Sequence, residues 1–372
     1  MGQVESTTIR KAFTADELEQ LNVIFKRRTL IDSFDSKCFF HRGSNVADMS
    51  FSKYCEQIDL LLHGSLTEIQ SHLLQTHPNE TLTDLVAQIA SLALYRFQSR
   101  TSNIQATISH SFVNFLLKRP VSQFAEDIEH EKTDTNNFCE LSEFSDWMET
   151  APLAPALWKL ATNGIIFAES AKDLVPSRLP ELSQLVNIET LFMLEFSTQA
   201  TGIRPDWIKL FSSSKDGSNW TLFLEKLTFP ESLVLLIQDK DGNTFGAFSS
   251  SNLSPNPNFG GDSRCFVFTT YPAFCVYKPT GLNSNYAYLN HSTMNFPNGV
   301  GFGGQTEYFG LFLDSSFEKG ESNAEPISTT FGNPRLSGKK QFEIESGMPK
   351  TLSIERVLYI SDYHFESIKI YV

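Results

Sequence analysis

The stretch LVLLIQDKDGNTFGAFS, residues 233–249, reads as two short apolar strands around a turn. Residues 233–237 form a continuous apolar run, of a length that suits a buried strand. Asp241-Gly242 is a hairpin signal, and a type I′ turn is expected there because glycine supplies positive φ. Residues 244–249 are the return strand. Gly246 inside it marks a place where a neighbouring backbone or a bound surface comes close. The same rhythm continues along the chain, with strands expected at 264–270, 274–278, 285–290, 308–314, 341–345 and 353–360. Many short strands with Gly and Pro between them indicate an antiparallel sandwich. Phe245, Phe248, Phe266 and Phe268 are expected at its inward-facing positions.

Upstream the composition changes. Of 20 glycines in 372 residues, only Gly2, Gly43, Gly64 and Gly164 precede residue 200. Helices avoid glycine, so the first half is helical and the fold class is α+β. The expected division is a helical region over 1–174 and a β-rich domain with flanking helices over 175–372. Thr14-Ala15-Asp16-Glu17 is a capping box with Phe13 and Leu18 at staple positions. Further helices are expected over 81–97, 104–117, 141–148 and 153–168, with Leu85, Ile89, Leu92 and Ala93 on one face of the first of these. The charged stretch 126–137 reads as an exposed loop.

Short helices separated by polar loops resemble a degenerate pair of EF-hands. A calcium loop needs alternating oxygens converging around a glycine at its sixth position. Residues 127–137 lack that glycine, and residues 32–43 place Phe39 and Phe40 where oxygens are needed. Scaffolding without calcium is therefore expected. The opening Met1-Gly2-Gln3-Val4-Glu5-Ser6 fits the myristoylation pattern, so Gly2 is a candidate acylation site. One such chain binds a membrane only marginally, and a protein partner is the expected second anchor.

The net charge is −13, from 30 basic and 43 acidic residues. Such a surface repels a nucleic-acid backbone, so no nucleic-acid partner is expected. No apolar run approaches the roughly 18 residues of a membrane span. The five cysteines are odd in number and form no C-x-x-C pair, as for reduced cytosolic thiols. No apolar core of a secretory leader follows Met1. Gly299-Val-Gly-Phe-Gly-Gly304 satisfies G-x-G-x-x-G, but a dinucleotide site needs a strand before it and a helix after it. It is read instead as a loop before a strand. His291 and His364 lack partners at ligand spacing and are expected to be surface or satisfied histidines. Cys265 and Cys275 lie in apolar strands and are expected to be buried and inert. No metal, cofactor or catalytic residue is expected.

Five segments, in order, carry a family resemblance: Lys209–Trp220 (KLFSSSKDGSNW), Leu235–Phe248, Cys265-Phe-Val-Phe268, Gly303-Gly304 with Phe309–Asp314, and Thr330–Ser337 (TFGNPRLS). They are similar to the successive motifs of the TLDc domain. The resemblance covers roughly residues 175–372 and implies a two-sheet β-sandwich with flanking helices. A myristoylation motif and an EF-hand-like region ahead of it resemble the branch that holds the mTOR-associated lysosomal TLDc proteins and the restriction of telomere capping protein 5 group. The last strands match the family ending loosely. That branch's mTOR-associated members carry a further helix after the domain, and the sequence stops at Val372.

The resemblance implies a non-enzymatic adaptor. It would bind the peripheral sector of the vacuolar-type proton ATPase at lysosomal or vacuolar membranes, with mTOR-pathway proteins as further partners and a link to oxidative-stress resistance. The alternative it leaves open is an antioxidant or catalytic TLDc protein. The motif positions taken as candidate binding residues are Asp216, Gly217, Asp241, Gly242 and Gly246.

Overall fold

A computed structural model describes residues 13–27, 50–98, 108–118, 138–166, 185–198, 205–227, 232–325, 327–344 and 352–359. The chain separates into two compact units, residues 1–175 and 176–372. Gly2, Cys38, His364, the two EF-hand-like loops at 32–43 and 127–137 and the charged stretch 126–137 lie outside the described residues.

The first unit is helical: α1 (Ala15–Arg27), α2 (Phe51–His63), α3 (Leu66–Thr76), α4 (Leu82–Gln98), α5 (His110–Leu117), a 3₁₀ turn (Leu141–Glu143), α6 (Phe144–Thr150) and α7 (Ala154–Ile166). Local chemistry starts these helices. The Thr14 hydroxyl accepts from the Glu17 amide and the Glu17 carboxylate accepts from the Thr14 amide. Ser65 and Glu68 repeat the reciprocal box before α3. Phe13 staples α1, packing in one cluster with Leu21, Tyr54, Cys55 and Ile58. Leu85, Ile89, Leu92 and Ala93 are buried on α4, as their spacing predicts. Trp147 donates its indole N–H to Leu116 O at 2.8 Å, and Trp158 donates to Leu61 O at 3.3 Å. Each large ring is thereby buried with its polar atom satisfied.

The second unit begins with α8 (Ile188–Thr198). It continues through β1 (Pro205–Ser212), α9 (Ser213–Asp216), α10 (Trp220–Lys226), β2 (Ser232–Gln238), β3 (Thr244–Ser249), β4 (Asn256–Gly260), β5 (Phe266–Tyr271) and β6 (Cys275–Tyr277). Then come β7 (Ala287–Asn290), β8 (Gly299–Gln305), β9 (Tyr308–Asp314), β10 (Lys319–Glu321), β11 (Gln341–Glu343) and β12 (Leu352–Tyr359). Two six-stranded antiparallel sheets result, ordered β1-β12-β2-β3-β5-β6 and β11-β10-β9-β8-β7-β4. Their facing sides share one apolar core. Leu235, Ile237, Phe245 and Val267 come from the first sheet; Leu289, Val300, Phe302, Leu311, Leu313 and Phe342 come from the second. This is the expected α+β sandwich.

Four local expectations are corrected. The 239–243 turn is not type I′. Asp239 N–H bonds Asn243 O, Gly242 N–H bonds Asp239 O, and Gly242 alone of the central residues has positive φ, at +89°. That is a three-residue loop in which a type I turn is closed by a left-handed glycine. Second, residues 299–304 are no loop: they lie in β8, paired with β7 and β9. Glycines serve there because side chains at 299 and 301 would run into the Phe312 and Phe309 rings. Third, Phe245 faces the inter-sheet core, but Phe248 does not. Three residues separate them, so alternation puts them on opposite faces. Phe248 stacks on Phe266, whose neighbour Phe268 lies on the same outer face, and all three are nonetheless buried. Fourth, Cys265 is fully buried, whereas Cys275 on the short edge strand β6 is only half-buried.

Candidate functional site

Strands β1 and β2 are each antiparallel to β12, which lies between them, so they run in one direction and end together. The segment after β1 holds Asp216 and Gly217; the turn after β2 holds Asp241 and Gly242. Two strand spacings, about 10 Å, separate the two strands. Four of the five candidate residues thus emerge at one end of the sandwich.

At the first corner, Asp216 is consumed by its own fold. One carboxylate oxygen accepts from Ser212 N–H at 2.8 Å and the other pairs with the Lys226 ammonium at 2.8 Å. That ammonium also sits 5.8 Å from the centre of the Phe211 ring. Gly217 terminates α9 at φ +69° and is exposed. At the second corner, Asp241 pairs with Lys339 at 2.6 Å, and Lys240 pairs with Glu343 at 2.7 Å. Asn243 donates to both oxygens of buried Asp239 and to Ser337 O. Burial pushes the Asp239 carboxyl above its ordinary range, against the pull of the Asn243 bonds. Lys240 holds Glu343 below its usual range, and Asp241 raises Lys339. Three ion pairs, Asp216–Lys226, Asp241–Lys339 and Lys240–Glu343, thus stand at this end.

Gly246 is elsewhere. It is buried in the middle of β3, where a Cβ would stand 2.0 Å from Leu235 O and 2.9 Å from the Phe268 ring. Its position is one of close backbone packing.

The second sheet closes the same end. Asn290 pairs with Gly299, Gly299 with Asp314, and Lys319 with Glu343. Phe211 from the first sheet lies 5.7 Å from Phe317 in the β9–β10 turn. Trp220 stacks on Phe223, and its indole N–H donates to His291 Nδ1 at 3.0 Å. His291 is thus exposed yet satisfied. Around this polar frame stand exposed Tyr271, Met294 and Phe296.

The sequence could not pair Lys240 with Glu343, Asp241 with Lys339 or Trp220 with His291, because each partner comes from a distant segment. The Thr330 motif position has a structural task instead. Its hydroxyl accepts from Gly304 N–H at 2.8 Å and donates to Asn283 at 2.8 Å, holding the opposite end of the second sheet.

Two further polar clusters show how the fold sets the reactivity of its acids and thiols. Ser250 donates to Asp262 at 2.7 Å and lies 3.4 Å from the Cys265 sulfur. Arg264 holds the Asp262 carboxyl at about 2, too weak a base for neutral pH. Burial pushes the Cys55 thiol up to about 11, away from the reactive thiolate. Among the described residues no group of three or more His, Cys, Asp or Glu could hold a metal ion. Among them, too, no helix is long and apolar enough to cross a membrane.

A two-sheet sandwich with ion pairs at one end and close-packed glycines inside is a compact antiparallel β domain. Its sequence matches the TLDc domain family over residues 179–346, and the chain carries a TLDc domain. It is 33% identical over 239 residues to the MTOR-associated protein MEAK7 of Danio rerio, covering 61% of this chain and 52% of that protein. With the human protein of the same name it shares 34% over 214 residues, covering 56% and 47%. With human oxidation resistance protein 1 it shares 34% over 140 residues, covering 37% and 15%. The chain spans about half the length of the MEAK7 relatives it matches.

Proposed function

We propose that this chain is a non-enzymatic adaptor whose TLDc domain binds the peripheral sector of the vacuolar-type proton ATPase at lysosomal or vacuolar membranes. One observation carries the reading toward contact: motif residues Asp216, Gly217, Asp241 and Gly242 gather at one end of the sandwich, beside exposed Tyr271, Met294 and Phe296. Exposed apolar side chains standing beside paired charges supply both the apolar and the polar contacts that a protein interface uses. Relatives named as mTOR-associated and as oxidation resistance proteins support a regulatory role in mTOR-pathway or oxidative-stress responses. Gly2, in the sequence Met1-Gly2-Gln3-Val4-Glu5-Ser6, is the proposed lipidation site, bringing the adaptor to the membrane.

Affinity purification of the tagged full chain followed by mass spectrometry tests this. Recovery of peripheral ATPase subunits, reduced by Met294→Asp with Phe296→Asp, is the expected result. Recovery unchanged by that double variant would remove this end from the interface. Absence of all ATPase subunits would overturn the partner.

A further inference from the structure

We infer that the Trp220–His291 hydrogen bond is a proton-sensitive latch on residues 291–292, at the start of the loop after β7. Trp220 is an obligate donor, so His291 must present an unprotonated Nδ1 to accept at 3.0 Å. The closed form therefore requires a neutral imidazole with its proton on Nε2. Protonation places a second N–H against the indole N–H. The bond is lost and a positive charge faces the positive end of the indole dipole.

The two sides of the contact differ in freedom. Trp220 is 9% exposed and wedged between Phe223 at 4.8 Å and Phe317 at 5.3 Å, so it stays in place. His291 is exposed at the end of β7 and begins a loop. Ser292, immediately after it, has φ +59°, in the left-handed region that a non-glycine residue adopts at a cost. Such a conformation persists only while its surroundings enforce it. Further along, Thr293 and Asn298 bond each other through Asn298 Oδ1 and Nδ2, and the Tyr288 hydroxyl holds Pro297 O. Asn290, just before His291, also donates to Thr293 Oγ1 and Pro297 O, so residues 293–298 are fixed independently of His291. Release of His291 therefore frees only His291 and Ser292 and relaxes the left-handed Ser292 backbone.

Charged and titratable groups on the surrounding elements are Lys215, Asp216, Glu225 and Lys226 on α9 and α10, and Asp314, Glu318 and Lys319 around the β9–β10 turn. Tyr288 lies on β7. Lys226 and Asp216 are paired with each other. The donor–acceptor geometry sets the direction: closed when the imidazole is neutral, open when it is protonated. Histidine is the side chain whose ordinary titration falls between about pH 5 and 8.

The test is hydrogen exchange of the full chain at about pH 7.5 and about pH 5.5, corrected for intrinsic rates, with the Trp220 indole ¹⁵N–¹H shift followed in parallel. Wild type should lose protection at residues 291–292 by roughly five- to tenfold at the lower pH, the worth of one hydrogen bond, while Thr293 keeps its bond to Asn298. His291→Asn, a non-titrating acceptor, and His291→Ala should each show no pH-dependent change there. Protection of the β2–β3 core should be constant throughout and reports that every variant is folded. A wild-type loop insensitive to pH, or a change of wild-type size in either variant, overturns the latch.

Discussion

Lys240 and Glu343 hold each other twice. The Lys240 amide donates to Glu343 O at 2.9 Å, and the Lys240 ammonium meets the Glu343 carboxylate at 2.7 Å. One residue lies in the turn that ends the first sheet and the other on β11 of the second. The backbone bond survives any side-chain change; the ion pair does not.

Glu343→Gln should therefore cost little. Both side chains are about half exposed, so solvent screens the pair and its contribution is small. Urea denaturation of both forms checks this. A loss as large as that of a core truncation would mean that the ion pair, and not the backbone, joins the sheets here.

Gly242→Val and Gly246→Val should separate by mechanism. At Gly242 a Cβ meets nothing within 4 Å, so the cost is backbone strain at φ +89°, about 1–2 kcal/mol. At Gly246 a Cβ would stand 2.0 Å from Leu235 O in the centre of the first sheet. That variant should lose more than about 4 kcal/mol or fail to fold. Thermal and chemical melts give the order, and equal stability of the two would contradict the packing around β3.

Asp262→Asn should shape the acid limb of stability. Arg264 lowers the Asp262 carboxyl from 3.8 to about 2. The folded carboxyl is depressed, so its contribution is complete above the unfolded value of about 3.9 and disappears as pH falls toward 2. With the aspartate 42% exposed, screening limits the contribution to about 1 kcal/mol or less. Wild type should exceed the variant at neutral pH and converge with it near pH 2. A gap that widens on acidification would reverse the sign.

Gly2→Ala should shift the chain from organelle membranes to the soluble fraction, since the acyl acceptor would be gone. Fractionation of cells expressing each form reads the result. Equal membrane fractions would show that something other than an acyl chain on Gly2 holds the protein there.

The hairpin at 233–249 was readable because a continuous apolar run, a turn with glycine and a second short strand all agree on one structure. The α4 face was readable from spacing alone. Strand β8 was hidden because the four glycines in 299–304 blur its apolar alternation; their reason lies in the rings of β9, distant knowledge to a local reading. Helices α2 and α3 were missed although Ser65 and Glu68 spell a capping box. The three-residue turn was misread because Asp241-Gly242 fits two loop lengths, and only the Asp239–Asn243 bond decides between them. At the candidate site, motif residues were visible, but their convergence depends on β12 entering between β1 and β2.

That insertion has a consequence for synthesis on the ribosome. β12 joins backbone near residue 207 to backbone near residue 357, and β2 to the same late strand. Until residue 359 clears the exit tunnel, β1 and one side of β2 remain open edges, each a template for pairing with another chain. Long-range closure of this kind is intrinsically slow. The nascent domain must wait for β12, so a chaperone that shields strand edges has a defined interval in which to act.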